Sequence, residues 1–296
     1  TSPYVIPLID VKIEEKTTSL VLPLAKETLT HVMDKAQLDP KRIARQIGLA
    51  LAHTHNAGIY HLDVKPDNIL LHGYDNLSQA QVWLADLGLS RIYRCALRKS
   101  YDVAFNAWYR PPELTLRGPI TDKADVWAFG VTLADMLLSY HLGREIRFFG
   151  YNISETKTLE KIFKIVGLST ESSIYNLPLG KEIPSTFLQG NLVQTLEKSG
   201  LDQEEVDVIK SILVLDYDKR PTIFEVLKHP WFGLSSPPVE LSCQKILMKN
   251  EATTIHPFTS KQANPKILPK FRQKVIDHLW QIGAGVKFVK DNNPLF

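Results

Sequence analysis

The sequence predicts an α+β fold in which helices dominate. Three observations support this prediction: two short strand-like segments near the start, a second such pair around a cluster of polar residues, and later segments whose apolar residues recur at helical spacing. Of the 296 residues, 44% are hydrophobic and 23% are charged. The chain therefore has room for one large domain or two modest ones, and it is not predicted to be disordered.

The strand-like segments come early in the chain. Residues 4–25, YVIPLIDVKIEEKTTSLVLPLA, are typical of two short strands around a charged turn. Residues 68–86, NILLHGYDNLSQAQVWLAD, indicate two more strands, joined by a polar loop. The second pair directly follows the polar cluster, so we expect the strands to position it.

Four helices are predicted from apolar residues that recur three and four positions apart. Their apolar faces are Ile43, Ile47, Ala50, Leu51 and Thr54; Val126, Phe129, Leu133 and Leu137; Leu159, Ile162, Phe163 and Val166; and Val206, Ile209 and Leu213. Gly58 and Gly167 are predicted to end the first and third of these helices. Thr222 and Glu225 predict a capping box that opens a further short helix, which ends near His229.

The polar cluster lies in IYHLDVKPDNILL, residues 59–71, where Asp63, Lys65 and Asn68 have D-x-K-x-x-N spacing. Transfer of a γ-phosphoryl group needs a carboxylate near the acceptor hydroxyl, a cation and Mg²⁺ ligands. Asp63 is a candidate base, Lys65 a candidate cation, and Asn68 a candidate metal ligand. Asp86, in LADLGLS, is a second candidate ligand, because oxygen donors suit Mg²⁺. For the D-x-K-x-x-N spacing alone, a capped turn without chemistry is an equally good interpretation.

Several motifs in order resemble those of protein kinases. Residues 61–68 resemble the H-R-D-x-K-x-x-N catalytic loop, residues 86–88 resemble D-F-G, and WYRPPE at residues 108–113 resembles A-P-E in the form found in cyclin-dependent and MAP-type kinases. DKADVWAFG, residues 122–130, resembles the start of their central helix. The resemblance covers residues 2 to about 233. It implies a protein kinase-like fold, mostly the helical C-lobe, with a partial β N-lobe that contains strands 4 and 5 only.

The resemblance also implies an activity and a set of roles. The activity is that of a serine/threonine protein kinase of the cyclin-dependent kinase-like group that uses ATP and Mg²⁺. The implied catalytic residues are Asp63 and Lys65, and the implied metal ligands are Asn68 and Asp86. The implied supporting residues are His61 and Asp125, at the catalytic-loop backbone, and Glu113, which would pair with Arg220 in DKRP.

Five residues are expected to bind ATP on the same resemblance. Leu22 would be the gatekeeper, and the backbone from Pro23 to Ala25 would contact adenine as the hinge. Leu70 would form the floor of the adenine pocket, and Ala85 would lie just before the metal-binding aspartate.

The chain departs from the family pattern at several positions. Leu62 stands where an arginine usually pairs with a phosphate on the activation loop, and leucine cannot make that contact. Tyr101 aligns roughly with an activating threonine, and Asn106 replaces a threonine that usually contacts the catalytic aspartate. The Gly-rich loop, the third-strand lysine and the glutamate-bearing helix have no counterpart before residue 4. We therefore expect a fragment that transfers phosphate poorly by itself.

The expected organisation has four parts: an N-lobe remnant and hinge at 1–25, a C-lobe at 26–235, a linker at 236–266 and an amphipathic helical tail at 267–296. In the tail, Arg272, Asp277 and Leu279 have the spacing found in the opening helix of a cyclin box. The alternative is an amphipathic helix packed on the kinase lobe. If the tail is a cyclin box, the kinase and its activator share one chain.

Two function classes remain open: an active serine/threonine kinase, and a pseudokinase-type binding scaffold. The expected partners are a protein substrate and a cyclin, in cis or in trans. The net charge of +3 does not favour nucleic acid, and no apolar run approaches the roughly 20 residues of a membrane span. The cysteines, Cys95 and Cys243, lack metal-ligand spacing and favour a reducing compartment, so a cytoplasmic or nuclear location is expected.

Overall fold

The structure is a computed structural model that describes residues 2–14, 17–92, 107–151, 153–183 and 188–241. The described residues belong to two compact units, one comprising 2–5 and 25–241 and the other lying within 6–24. Several residues of the sequence analysis lie outside the described residues: Cys95, Tyr101, Asn106, Cys243, and the tail with Arg272, Asp277 and Leu279.

Short antiparallel strand pairs form the β structure. The strands are β1 Asp10–Ile13, β2 Thr18–Val21, β3 Glu27–Thr28, β4 Ile59–Tyr60, β5 Ile69–His72, β6 Gln81–Leu84 and β7 Arg91–Ile92. In the smaller unit, β1 pairs with β2, with Asp10 opposite Val21 and Ile13 opposite Thr18. Glu14 N–H donates to the carbonyl of Thr17 at 2.9 Å, a hydrogen bond that closes the turn of the hairpin. The sequence prediction of two strands around a charged turn is confirmed.

In the larger unit, β3, β5 and β6 form one antiparallel sheet with β5 in the centre. Ile69 and Leu71 are fully buried, whereas Leu70 between them is partly exposed, as the two-residue period of a strand requires. Leu84 N–H donates to the carbonyl of Tyr4 at 2.8 Å, which joins residues 2–5 to this sheet. A separate pair, β4 with β7, flanks the loop that carries the polar cluster.

The helices of the larger unit are α1 Leu29–Val32, α2 Pro40–Asn56, α3 Pro112–Thr115, α4 Lys123–Leu142, α5 Glu155–Val166, α6 Leu192–Lys198, α7 Gln203–Ile212 and α8 Ile223–Val226. Their ends follow from the sequence. Gly58, with a φ of 73°, lies just after the C-cap of α2, and Gly167 is the C-cap of α5. The predicted capping box of Thr222 and Glu225 opens α8.

The core surrounds α4. Every residue from 124 to 139 in this helix is buried, including Trp127 and Phe129. A methyl group at Gly130 would lie 2.6 Å from Ile212, so the glycine permits α4 and α7 to approach closely. Within the described ranges, no helix has both the length and the apolar character needed to cross a bilayer. Because α4 is buried on all sides over residues 124–139, it is a central helix of the core.

Candidate active site

The candidate active site lies where the loop after β4 meets the end of β6. Ala85 N–H donates to the carbonyl of Asn68 at 2.9 Å, and the Ala85 carbonyl accepts from His61 Nε2 at 3.0 Å. The Nδ1 atom of the same ring accepts from the N–H of Asp63 at 3.3 Å. Burial lowers the pKa of His61, which agrees with a neutral ring that donates at Nε2 and accepts at Nδ1. These bonds hold the polar loop next to the chain that leads to Asp86.

Asp63, Lys65 and Asn68 form one hydrogen-bonded group. Lys65 Nζ donates to Oδ2 of Asp63 at 2.8 Å, and Asn68 Nδ2 donates to the same oxygen at 2.7 Å. Asn68 Nδ2 also donates to the carbonyl of Asp63 at 2.8 Å. Asp63 is nearly buried, with an exposure of 8%. Lys65 and Asn68 donate to the same carboxylate oxygen, Oδ2. The orientation of the carboxylate is therefore fixed by one ammonium and one amide group.

The Asp125 carboxylate holds the start of this loop by hydrogen bonds to its backbone. Its Oδ2 accepts from His61 N–H at 2.7 Å and lies 2.9 Å from Nε2 of His55, while its Oδ1 accepts from Leu62 N–H at 2.7 Å. Leu62 has a φ of 64°, which is unusual for a leucine, and its side chain is buried in a small apolar cluster. The strained backbone therefore turns two N–H groups toward one carboxylate.

Asp86 lies just after β6 and is exposed. Its φ is 63°, and its Oδ1 accepts from Gly88 N–H at 3.1 Å. Asn68 donates both of these hydrogen bonds from its amide nitrogen, so they do not use the amide oxygen, which is the atom that would bind a metal ion. Carboxylate and amide oxygens fit Mg²⁺ chemically. No group of three or more His, Cys, Asp or Glu side chains suited to a metal ion occurs in the part of the chain that the structure describes.

The five residues predicted to bind ATP are divided between the two units. Leu70 lies in β5 and Ala85 directly follows β6, and Ala25 is the first residue of the longer segment of the same unit. Leu22 and Pro23 lie in the hairpin unit, where Leu22 is 43% exposed. Their roles stay predictions.

Glu113 and Arg220 form a fully buried ion pair. The guanidinium donates from Nη1 to Oε1 at 2.7 Å and from Nη2 to Oε2 at 2.9 Å, and both side chains have no solvent exposure. Arg220 also lies over the ring of Trp127, 4.9 Å from its centroid. This two-bond geometry fixes the WYRPPE segment to the chain before α8.

Comparison with known proteins identifies the family. The protein kinase domain family matches residues 1–232. The chain belongs to the protein kinase domain family. The kinase fold predicted from the motifs is confirmed. The match covers residues 1–25 as well, so the expectation that they hold strands 4 and 5 only is not confirmed. The cyclin-box interpretation of residues 267–296 also stays a prediction.

Relatives of this kinase include cyclin-dependent kinases. The CTD kinase subunit alpha of Schizosaccharomyces pombe is 28% identical over 275 residues, which cover 88% of this chain and 43% of the relative. Cyclin-dependent kinase 4 of Xenopus laevis is 32% identical over 195 residues, 65% of this chain and 56% of that protein. The chain thus spans less than two thirds of the length of either relative.

A solved structure shares the fold. The structure of the yeast RNA Pol II CTD kinase CTDK-1 complex aligns with a TM-score of 0.67 and 24% identity, over 81% of this chain and 79% of that chain. At this identity, the similarity shows the fold alone.

The sequence analysis missed a second polar group, in the core of the kinase. Oδ2 of Asp135 accepts from the hydroxyl of Tyr109 at 2.8 Å, and its Oδ1 accepts from Phe148 N–H at 2.7 Å. Arg147 donates to the Tyr109 hydroxyl at 2.8 Å. A signal for this group was present, because an aspartate inside the apolar run of α4 needs a partner. The sequence did not indicate which partner it has.

Proposed function

We propose that this chain contributes the catalytic loop of a serine/threonine protein kinase of the cyclin-dependent type, which uses ATP and Mg²⁺. The observation that carries the proposal is the bonding of Asp63. Its carboxylate is oriented by Lys65 and Asn68, which are the residue types that phosphoryl transfer needs at this place. The family membership and the kinase relatives support the same activity.

Each polar residue has a role in this proposal. Asp63 accepts the proton of the substrate hydroxyl, and Lys65 supplies positive charge close to the reacting oxygens. Asn68 and Asp86 would hold Mg²⁺, which would neutralise the charge of the phosphoryl group that ATP supplies. Leu70 would form the floor of the adenine pocket, and Ala85 would line the ATP site just before Asp86. His61, Asp125 and the ion pair of Glu113 with Arg220 act through position rather than contact with substrate.

The proposed partners are a protein substrate and a cyclin. One relative carries the name cyclin-dependent kinase, which supports a cyclin as the activating partner, in cis through the tail or in trans. Leu62 supports the further proposal that an activation-loop phosphate is not recognised at this position, because its side chain is buried and apolar.

The test is the variant Asp63→Asn in the full-length protein, assayed for transfer of labelled phosphate from ATP to a protein substrate. We expect activity to fall at least about 100-fold with an unchanged melting temperature, since the variant removes a base and keeps the shape. The control Asp75→Asn makes the same charge change in the exposed loop between β5 and β6 and leaves activity unchanged. Full activity in Asp63→Asn refutes the proposed role. Retention of cellular function by an inactive Asp63→Asn protein favours the scaffold.

A further inference from the structure

A pocket of about 290 Å³ lies between the end of α4, the segment at residues 144–148, α5 and α6. Its polar lining comes from Arg144, Arg147, Lys161, Thr195 and Ser199, and its apolar lining comes mainly from α4 and α5. None of the described residues that line it is acidic. The pocket therefore has three basic side chains and two hydroxyls on its wall.

Arg147 is a fixed part of this wall. Its Nη2 lies 2.8 Å from Oε1 of Glu145, its Nη1 lies 3.6 Å from Oδ2 of Asp135, and it donates to the hydroxyl of Tyr109. Two carboxylates thus neutralise its charge. Its Nε is buried and has no acceptor within the described residues.

Lys161 and Arg144 are different. Within the residues that the structure describes, neither has a carboxylate within 4.0 Å, whereas Lys65, Arg110 and Arg220 are all ion-paired. Burial lowers the pKa of Lys161, and the charge of Asp135 offsets this only in part. A partly buried ammonium without a close counter-charge is unfavourable, and an anion in the pocket would relieve that cost.

We propose that this pocket binds a phosphate monoester carried by a phosphorylated serine or threonine side chain. A phosphate monoester has a charge of about −1.5 to −2 and three acceptor oxygens, which match two cations without a carboxylate within 4.0 Å, the partly buried Lys161 and the exposed Arg144, better than a single carboxylate does. The pocket has roughly ten times the volume of one water in the liquid, so it admits the phosphoryl group together with the side chain that bears it. The site thus recognises phosphorylated protein segments, apart from the proposed chemistry at Asp63.

The experiment titrates the full-length protein, in Mg²⁺-free buffer with saturating ADP, with a short capped peptide that contains one phosphoserine. We expect saturable binding by calorimetry. Replacing phosphoserine with serine abolishes it, and replacing it with glutamate weakens it at least about tenfold, because glutamate brings less charge. Lys161→Met weakens phosphopeptide binding on the order of tenfold or more, as loss of a charged hydrogen bond does.

Two controls make the result specific. Lys164→Met removes an exposed lysine from the same helix, outside the pocket, and leaves binding unchanged. Lys161→Arg keeps the charge and retains most of the affinity, which separates loss of the cation from damage to the fold. Equal binding by wild type and Lys161→Met overturns the proposal. Binding of inorganic phosphate but not of the phosphopeptide overturns the assignment to a phosphorylated side chain.

Discussion

Two aspartates of α4 are both buried, yet they serve different parts of the kinase. Asp125 and Asp135 are ten residues apart, and their exposures are 0% and 1%. Asp125 receives two main-chain N–H groups and faces His55. Asp135 receives one main-chain N–H, a tyrosine hydroxyl and the charge of Arg147. One central helix therefore supports two separate polar segments with the same residue type.

The difference lies in what each carboxylate holds. Asp125 fixes backbone, at the point where His61 and Leu62 begin the loop that carries Asp63. Asp135 accepts one main-chain N–H, from Phe148, and it also joins two side chains: Tyr109 of the WYRPPE segment and Arg147 of the proposed anion pocket. Burial raises the pKa of Asp135 to about 6, although its hydrogen bonds and Arg147 oppose the shift. A buried carboxylate can thus position a backbone turn, or it can join a titratable network.

The largest effect is expected from Asp125→Asn. Asparagine offers one acceptor oxygen where the carboxylate serves three donor groups, so at least one buried N–H of the loop that carries Asp63 loses its acceptor. We expect the free energy of unfolding to fall by about 3 kcal/mol, measured by urea denaturation at pH 7. Activity should fall with it, since the loop carries Asp63.

Asp122→Asn is the control for this variant, because it makes the same change at the N-cap position of α4, where the side chain forms no capping bond. Its expected cost is below about 1 kcal/mol. If both variants lost a similar free energy of unfolding, the cause would be the negative charge at the start of α4 and not the hydrogen bonds from Asp125 to the loop.

A smaller effect, in pH dependence, is expected from Asp135→Asn. The folded-state pKa of about 6 lies above the ordinary value of 3.8, so the proton stabilises the fold. This stability is present at low pH and is lost as pH rises through 6. The unfolding free energy of Asp135→Asn, relative to wild type, should therefore increase by about 1.3 kcal/mol from pH 5 to pH 7.

Urea denaturation at both pH values measures this difference. The pKa of His61 is lowered, so its contribution has the opposite sign, but it is common to both proteins and cancels. The unfolding free energy of the exposed-site variant Asp75→Asn should change with pH in the same way as that of wild type. If the unfolding free energy of Asp135→Asn also followed the wild-type pH dependence, the group that titrates near pH 6 would not be Asp135.

The smallest effect is expected from Tyr109→Phe. It removes one bond to Asp135 and one from Arg147, and we expect a loss of about 1 kcal/mol in unfolding free energy. Because the tyrosine bond lowers the pKa of Asp135, its removal should also move the pH dependence to higher pH. Tyr151→Phe, at a side chain that is 57% exposed, should change neither quantity.

Much of the fold could be predicted because its signals are local. The capping box of Thr222 with Glu225 involves residues three apart, and the buried face of α2 follows from a repeat of three and four residues. The D-x-K-x-x-N spacing is local in the same way, since Asn68 reaches Asp63 across five residues of one loop. Resemblance to kinase motifs supplied the roles that these residues carry in the proposal.

By itself, the sequence determined helices α2, α4, α5, α7 and α8, the hairpins β1–β2 and β5–β6, and the D-x-K-x-x-N spacing of one loop. Only the tertiary structure decided that Leu62 is buried at a positive φ, that Asp135 meets Tyr109 and that Lys161 lines a pocket without a close counter-charge. Tyr109 and Asp135 show the reason, for 26 residues separate two groups that touch in the core. Local patterns depend on backbone sterics and hydrogen bonds between neighbours, whereas the pairing and burial of charges depend on which distant segments the core brings together.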